Sequence, residues 1–176
     1  MCGIAGAFGT NNIKKFNILQ TLDLMKNRGP DFSDYYENKF KKNYVYLLHS
    51  RLSIIDLNKR SNQPFRINDY SITFNGEIYN YRELKKILLE KKIKLKTNSD
   101  TEVLLWLYII YEEKCLNLLE GMWSFAIYNK QTNAEWRMQF LWPFKMPFLI
   151  IDLDKDYSHT VIGYPSKKYV WIMSRN

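Results

Sequence analysis

The order in which hydrophobic periodicity changes along the chain constrains its fold more than any other feature. Residues 2–8 read as an apolar strand of small side chains. Ile13, Phe16, Leu19, Leu22 and Met25 then recur at helical spacing, so residues 12–27 are expected to form an amphipathic helix. Arg28-Gly29-Pro30-Asp31 ends it, because Gly and Pro stop helices and set turns. Tyr44-Val45-Tyr46-Leu47-Leu48-His49 reads as a buried strand, residues 51–57 alternate directly after it, and residues 58–64 form a polar loop. Residues 70–74 are a further strand ending in Asn75-Gly76. Asn80 with Glu83 three residues on is an N-cap signal for a helix over 81–91, with Leu84, Ile87 and Leu88 as its apolar face. Ser99-Asp100-Thr101-Glu102 is a capping box that opens a helix reaching Tyr111, with Val103, Leu104, Leu107 and Ile110 inward. A short helix or turn over 116–122 and a strand over 123–128 follow. The order β, α, β, β, α, α, β, without the Gly-rich phosphate loop of a dinucleotide fold and without a repeat, calls for an α+β sandwich of layered sheets and helices.

Composition narrows the function. The 176 residues suit one domain, able to bury about 70% of its unfolded surface. A hydrophobic fraction of 46% with 16% aromatics argues against disorder. Two cysteines, Cys2 and Cys115, are too few for a disulfide framework, which makes a reducing, cytoplasmic compartment the expectation. No basic-then-apolar leader opens the chain, and the longest apolar-looking run, 140–151, is short and contains Pro143, Lys145 and Pro147, so no membrane association is expected. The net charge of +8 is concentrated in lysines at 14–26 and 85–96, both on segments of helical period, and no recognition motif accompanies it, so nucleic acid is not an expected partner. Two histidines, His49 and His159, and two distant cysteines suggest no metal site.

Cys2 is the residue with chemistry. Once the initiator Met1 is removed, Cys2 carries a thiol and a free α-amine, groups with ordinary pKa values of about 8.5 and about 7.7. The amine can take the thiol's proton, which puts a nucleophile and its base on one residue. Taken alone, Cys2 reads as a small buried thiol in a first strand; the rest of the chain reverses that reading.

Seven short motifs stand in order along the chain: Cys2-Gly3-Ile4, Arg28-Gly29-Pro30-Asp31, His49-Ser50-Arg51-Leu52-Ser53-Ile54-Ile55-Asp56, Gln63-Pro64, Phe74-Asn75-Gly76-Glu77-Ile78-Tyr79-Asn80, Ser99-Asp100-Thr101-Glu102-Val103 and Gly121-Met122-Trp123-Ser124-Phe125-Ala126. Together they closely resemble the glutaminase domain of class II glutamine amidotransferases, in the branch of the glutamine-hydrolysing asparagine synthetases, over residues 1–133. The resemblance implies an N-terminal-nucleophile hydrolase fold, a four-layer αββα sandwich, and hydrolysis of L-glutamine to glutamate and ammonia. It implies Cys2 as nucleophile, with the Asn75 side-chain amide and the Gly76 backbone N–H as the oxyanion hole. Arg51 matches the clamp for the glutamine α-carboxylate, a task suited to a guanidinium fork. Asp100 matches the holder of the α-ammonium, Glu77 a substrate contact, and Leu52, Ser53, Ile54 and Ile55 a loop whose backbone lines the pocket. Beside these stand plainer readings: Asn75-Gly76 as a hairpin turn, Asp100 as a helix cap, Arg51 and Glu77 as surface charges. Arg28 to Asp31 is expected to be a structural turn, Cys115 a core thiol, and no metal or organic cofactor is implied.

The resemblance ends near Asn133. Residues 134–176 lack the segment that the family places there and are rich in aromatics; a frameshift or recombined gene end is the expected origin, and translating the DNA in the other two frames tests it. Residues 148–153 and 168–173 are β-rich and could replace the missing strands. The ATP-dependent synthetase domain of the family is also absent from this chain, so ammonia delivery to aspartate would need a separate synthetase domain or subunit. The alternatives are service to another acceptor, or a degenerate domain that keeps the pocket without the activity.

Overall fold

The continuous apolar run around Val45 becomes the middle strand of a sheet. Strand β3 (Asn43–Arg51) lies between β1 (Gly3–Gly9) and β2 (Phe32–Phe40), antiparallel to both. Its side chains alternate between two buried faces. Tyr46 and Leu48 pack under helix α1 (Lys15–Met25) against Ile18 and Leu22. Val45 and Leu47 meet Ala126 and Tyr128 of a second antiparallel sheet, ordered β4 (Phe65–Ile67), β5 (Tyr70–Ile78), β6 (Gly121–Asn129) and β7 (Asn133–Gln139). The outer face of that sheet, through Ile72, Phe74, Ile78, Phe125 and Ile127, packs on helices α2 (Tyr81–Glu90) and α3 (Asp100–Tyr111). The layers run α1, first sheet, second sheet, α2 with α3, which is the expected four-layer αββα sandwich.

The computed structural model describes residues 2–131 with their side chains, and beyond them the backbone of the strands β7, β8 (Leu149–Leu153), β9 (His159–Gly163) and β10 (Val170–Ser174). Met1 lies outside the described residues. The last three strands form a separate antiparallel sheet in the order β8, β9, β10. Two of them fall where the sequence is β-rich, with Phe148 and Lys168 outside the described residues; β9 was not anticipated. No helix among the described residues is long and apolar enough to cross a membrane.

Several local expectations need correction. Strand β2 was not foreseen: its sequence, Phe-Ser-Asp-Tyr-Tyr-Glu-Asn-Lys-Phe, is mostly polar because it is a half-exposed edge, joined to β3 by a turn with Lys41 at φ 55°. Helix α1 starts at Lys15 and buries Ile18 and Leu22, whereas Phe16 is 72% exposed and Leu19 is also exposed. Residues 52–57 form irregular backbone. Asn80 does not cap α2; its amide donates to the Leu118 carbonyl and accepts from the Glu120 N–H. Ser99 caps α3 by accepting from the Thr101 N–H at 3.1 Å. The other half of the capping box is missing, because Glu102 is buried and spends its carboxylate on the N–H groups of Lys96 and Thr97 and the Thr97 hydroxyl.

Candidate active site

Cys2 stands one residue ahead of β1, and the pairing of Gly3 with Ser50 sets it beside the chain leaving β3. Its Sγ accepts the Leu52 N–H at 3.4 Å and lies 3.6 Å from the Leu52 carbonyl, to which the thiol donates. These two contacts with Leu52 fix where the Cys2 sulfur stands. The Arg28-Gly29-Pro30-Asp31 turn holds this arrangement from behind. Arg28 Nε donates to the Cys2 carbonyl at 3.2 Å. Asp31 donates its N–H to the Arg51 carbonyl at 3.0 Å and accepts the Ser53 N–H at 2.6 Å. A Cβ on Gly29 would sit 2.1 Å from the Ser50 carbonyl oxygen, so a glycine is what lets the turn lie against β3.

Strand β5 supplies the facing wall. In an antiparallel pair, successive residues direct their N–H and C=O groups alternately toward the partner and away from it. Phe74 and Ile78 turn theirs away from β6: the Phe74 N–H donates to Gln63 Oε1 at 2.7 Å, and the Ile78 N–H to Asp100 Oδ2 at 3.3 Å. Gly76 has the same parity and lies between them, so its N–H faces the same open edge with no acceptor among the described residues. The Asn75-Gly76 pair is therefore no hairpin turn; it lies inside β5, opposite Ser124 and Trp123. Gly76 has φ +155°, and a Cβ there would be 2.3 Å from the Met122 carbonyl oxygen.

A cleft of about 100 Å³ joins these parts. Of the residues picked from the sequence, Cys2, Arg51, Leu52, Ile54, Ile55, Gly76, Glu77 and Asp100 line it together, while Ser53 and Asn75 do not. Ser53 is held aside by Asp31, and Asn75 is half-buried with its amide oxygen unpartnered among the described residues. Arg51 is 5% exposed and is no surface charge. Its Nη1 donates to the Asn58 carbonyl at 3.1 Å and to Asn62 Oδ1 at 2.6 Å, and its Nη2 donates to the Asp56 carbonyl. Three of its five N–H donors are thus committed, leaving Nε and one hydrogen on Nη2 for a ligand.

Asp100 is 5% exposed. Burial raises its pKa to about 6, against the lowering effect of the backbone N–H groups of Ile78, Thr101 and Asp100 itself, while the nearby Glu77 carboxylate pushes it up further. A carboxylate sealed away without a countercharge favours a cationic ligand. Gln63 had no expected role beyond its place in the Gln63-Pro64 motif; it spans the cleft wall with Oε1 on the Phe74 N–H and Nε2 on the Thr101 hydroxyl at 3.2 Å. His49, likewise without an expected role of its own, is buried between the sheets with Nε2 3.1 Å from the Phe74 carbonyl; burial lowers its pKa to about 4, so the ring is neutral and donates. Gln63 and His49 thereby satisfy both backbone groups of the residue preceding Asn75.

Comparison with known proteins agrees with this geometry. Residues 1–137 match the family described as a glutamine amidotransferase domain, and residues 112–176 match a second family, described as a lipocalin-like domain. A glutamine-hydrolysing asparagine synthetase of Brassica oleracea is 38% identical over 139 residues, covering 76% of this chain and 22% of that protein. Another, from Bacillus subtilis, is 39% identical over 141 residues, again covering 76% and 22%. The chain thus spans about a fifth of the length of these relatives. Among solved structures, a glutamine phosphoribosylpyrophosphate amidotransferase from B. subtilis shares the fold with a TM-score of 0.50 at 19% identity, over 74% of this chain and 34% of that one.

Proposed function

Since the chain belongs to the glutamine amidotransferase family, we propose that it hydrolyses L-glutamine to glutamate and ammonia at Cys2. The observation that carries this reading is the cleft in which the Cys2 thiol, the free edge of β5 at Gly76, Arg51 and Asp100 converge. Cys2 Sγ attacks the side-chain carboxamide carbon, and the α-amine of Cys2, free once Met1 is gone, takes the thiol proton and passes it to the departing nitrogen. The developing oxyanion is received by the Gly76 N–H on the cleft wall, and the Asn75 amide, off that wall in the free protein, turns in to join it when substrate binds; losing one such donor costs on the order of 10²–10³ in rate. Ammonia leaves, and water opens the thioester to glutamate. Arg51 uses its two uncommitted donors for the α-carboxylate, and Asp100 takes the α-ammonium with Glu77 beside it. The backbone of Leu52, Ser53, Ile54 and Ile55 closes that side.

Residues 1–133 are read as the glutaminase domain and 134–176 as an added segment whose first strand, β7, pairs with β6. The ammonia acceptor is proposed to be an activated aspartate on a separate synthetase domain or subunit, in the cytosol, because the relatives with this domain are asparagine synthetases.

Glutamate release by the purified protein, with intact mass confirming loss of Met1, tests the reading. Cys2→Ala is expected to lower the rate by roughly 10³-fold or more. A folded, processed protein that releases no glutamate sinks the proposal and leaves the degenerate-domain alternative in its place.

A further inference from the structure

One residue of the loop after β3 reaches both ends of the amino-acid subsite while staying out of the cleft itself. Asp56 does not line the cleft, and its side chain is 6% exposed. Its backbone is left-handed, φ 51°, a conformation that Asp and Asn tolerate better than other side-chain-bearing residues. Its carbonyl accepts from Arg51 Nη2. Its carboxylate is spent elsewhere: Oδ2 accepts the Asn98 N–H at 2.7 Å and meets the Arg60 guanidinium at 3.3 Å, and Oδ1 accepts the Asn58 N–H at 3.2 Å. Asn98 directly precedes Ser99, the cap of α3, and stands two residues before Asp100. Burial pushes the Asp56 pKa up, but the Asn98 and Asn58 N–H groups and the Arg60 charge outweigh it and hold the carboxyl below its ordinary value, so it is ionised at neutral pH.

Arg51 ends a strand of the first sheet, whereas Asp100 opens a helix packed on the second. Neither sheet by itself fixes how far apart these two groups stand. The loop that anchors the guanidinium, through Asp56, Asn58 and Asn62, is tied to the α3 N-terminus by two side chains, Gln63 on Thr101 and Asp56 on Asn98. Only the Asp56 tie is charge-assisted, and such bonds are about twice as strong as neutral ones. We propose that Asp56 is a positioning residue that sets the span between Arg51 and Asp100, and with it the selectivity for a substrate carrying both an α-carboxylate and an α-ammonium. The proposal rests on the glutamine reading above.

Steady-state kinetics of Asp56→Asn test it, with glutaramate, which is glutamine without its α-amino group, as a competitive probe. Asn keeps the left-handed backbone and the carbonyl that meets Arg51, and removes the charge. The expected result is a KM for glutamine raised about tenfold, kcat within about twofold, and an inhibition constant for glutaramate within about twofold, since that probe has no ammonium to place. Asp56→Gly, which also accepts the left-handed backbone, carries the same expectation and serves if the Asn variant does not fold. An equal loss for glutamine and glutaramate, or a fall in kcat with KM unmoved, overturns the inference while the glutamine reading stands. A wild-type protein that neither binds nor hydrolyses glutamine overturns both.

Discussion

Asp100 holds its carboxyl nearly buried at the cleft wall, where Glu77 adds a second negative charge, so its ionised form is costly until a cation arrives. The folded-state pKa is raised from 3.8 to about 6. Between these values the folded state binds more protons than the unfolded chain, so this residue makes the fold less stable as pH rises through that window. Asp100→Asn should therefore stabilise the fold at pH 7 by on the order of 2 kcal/mol, with the gain vanishing near pH 4, while abolishing measurable glutamine binding. Denaturant unfolding at both pH values, with glutamine titration at pH 7, checks this; an Asn variant no more stable at pH 7 than the wild type contradicts it. In the wild type, KM for glutamine should rise as pH falls below 6. Cys2, Arg51 and Asp100 were legible in the sequence because each sits in a short ordered motif. Gln63 was visible only as part of Gln63-Pro64, with no role, because its partners are a backbone N–H and a hydroxyl far along the chain, which no periodicity reports. Gln63→Leu leaves the Phe74 N–H buried without an acceptor and should lower kcat by about tenfold or more through β5, with a smaller change in KM.

At the scale of elements, β5 makes the site, since one edge of it presents Phe74, Gly76 and Ile78 in turn. Its length was misread: Asn-Gly is a strong turn signal, and only pairing with β6 reveals that the strand continues to Ile78. Strand β2 was missed for the opposite reason, as an edge strand that needs few apolar residues. Helix α2 was found because its buried face, Leu84 and Leu88, keeps the helical period, and α3, buried nearly all round from Asp100 to Leu105, because Ser99 signals its start, whereas α1 turns Phe16 and Leu19 outward, so its apolar residues overstate the face it buries. Gly76→Ala would force a methyl to 2.3 Å from the Met122 carbonyl oxygen and 2.6 Å from the Trp123 Cα. Because both are backbone atoms of β6, the strands must separate at the proposed oxyanion hole. Glutaminase activity should fall by at least about 10²-fold, and hydrogen exchange at β6 amides should quicken; a variant with wild-type kcat would contradict this account.

Across the whole molecule, two buried ionisable groups pull acid stability in opposite directions. His49 between the sheets has its pKa lowered from 6.5 to about 4, so the unfolded chain takes up its proton first and the fold loses stability as pH falls through that range. Asp100, against the second sheet, gives the reverse dependence over nearly the same range. Wild-type stability should be nearly flat from pH 6 to pH 4 as far as these two groups decide it, and Asp100→Asn should expose a steep loss over the same range in urea titrations. The pairing of Gly3 with Ser50 carries a consequence of another kind. A growing chain emerges from the ribosome at roughly 5–20 residues per second, so the first strand waits several seconds for the strand that will cover it. Within that interval Cys2 has no neighbours, and an aminopeptidase can reach Met1 before the closing sheet forms beside it. The timing of synthesis thus allows the trimming that the chemistry proposed for Cys2 requires.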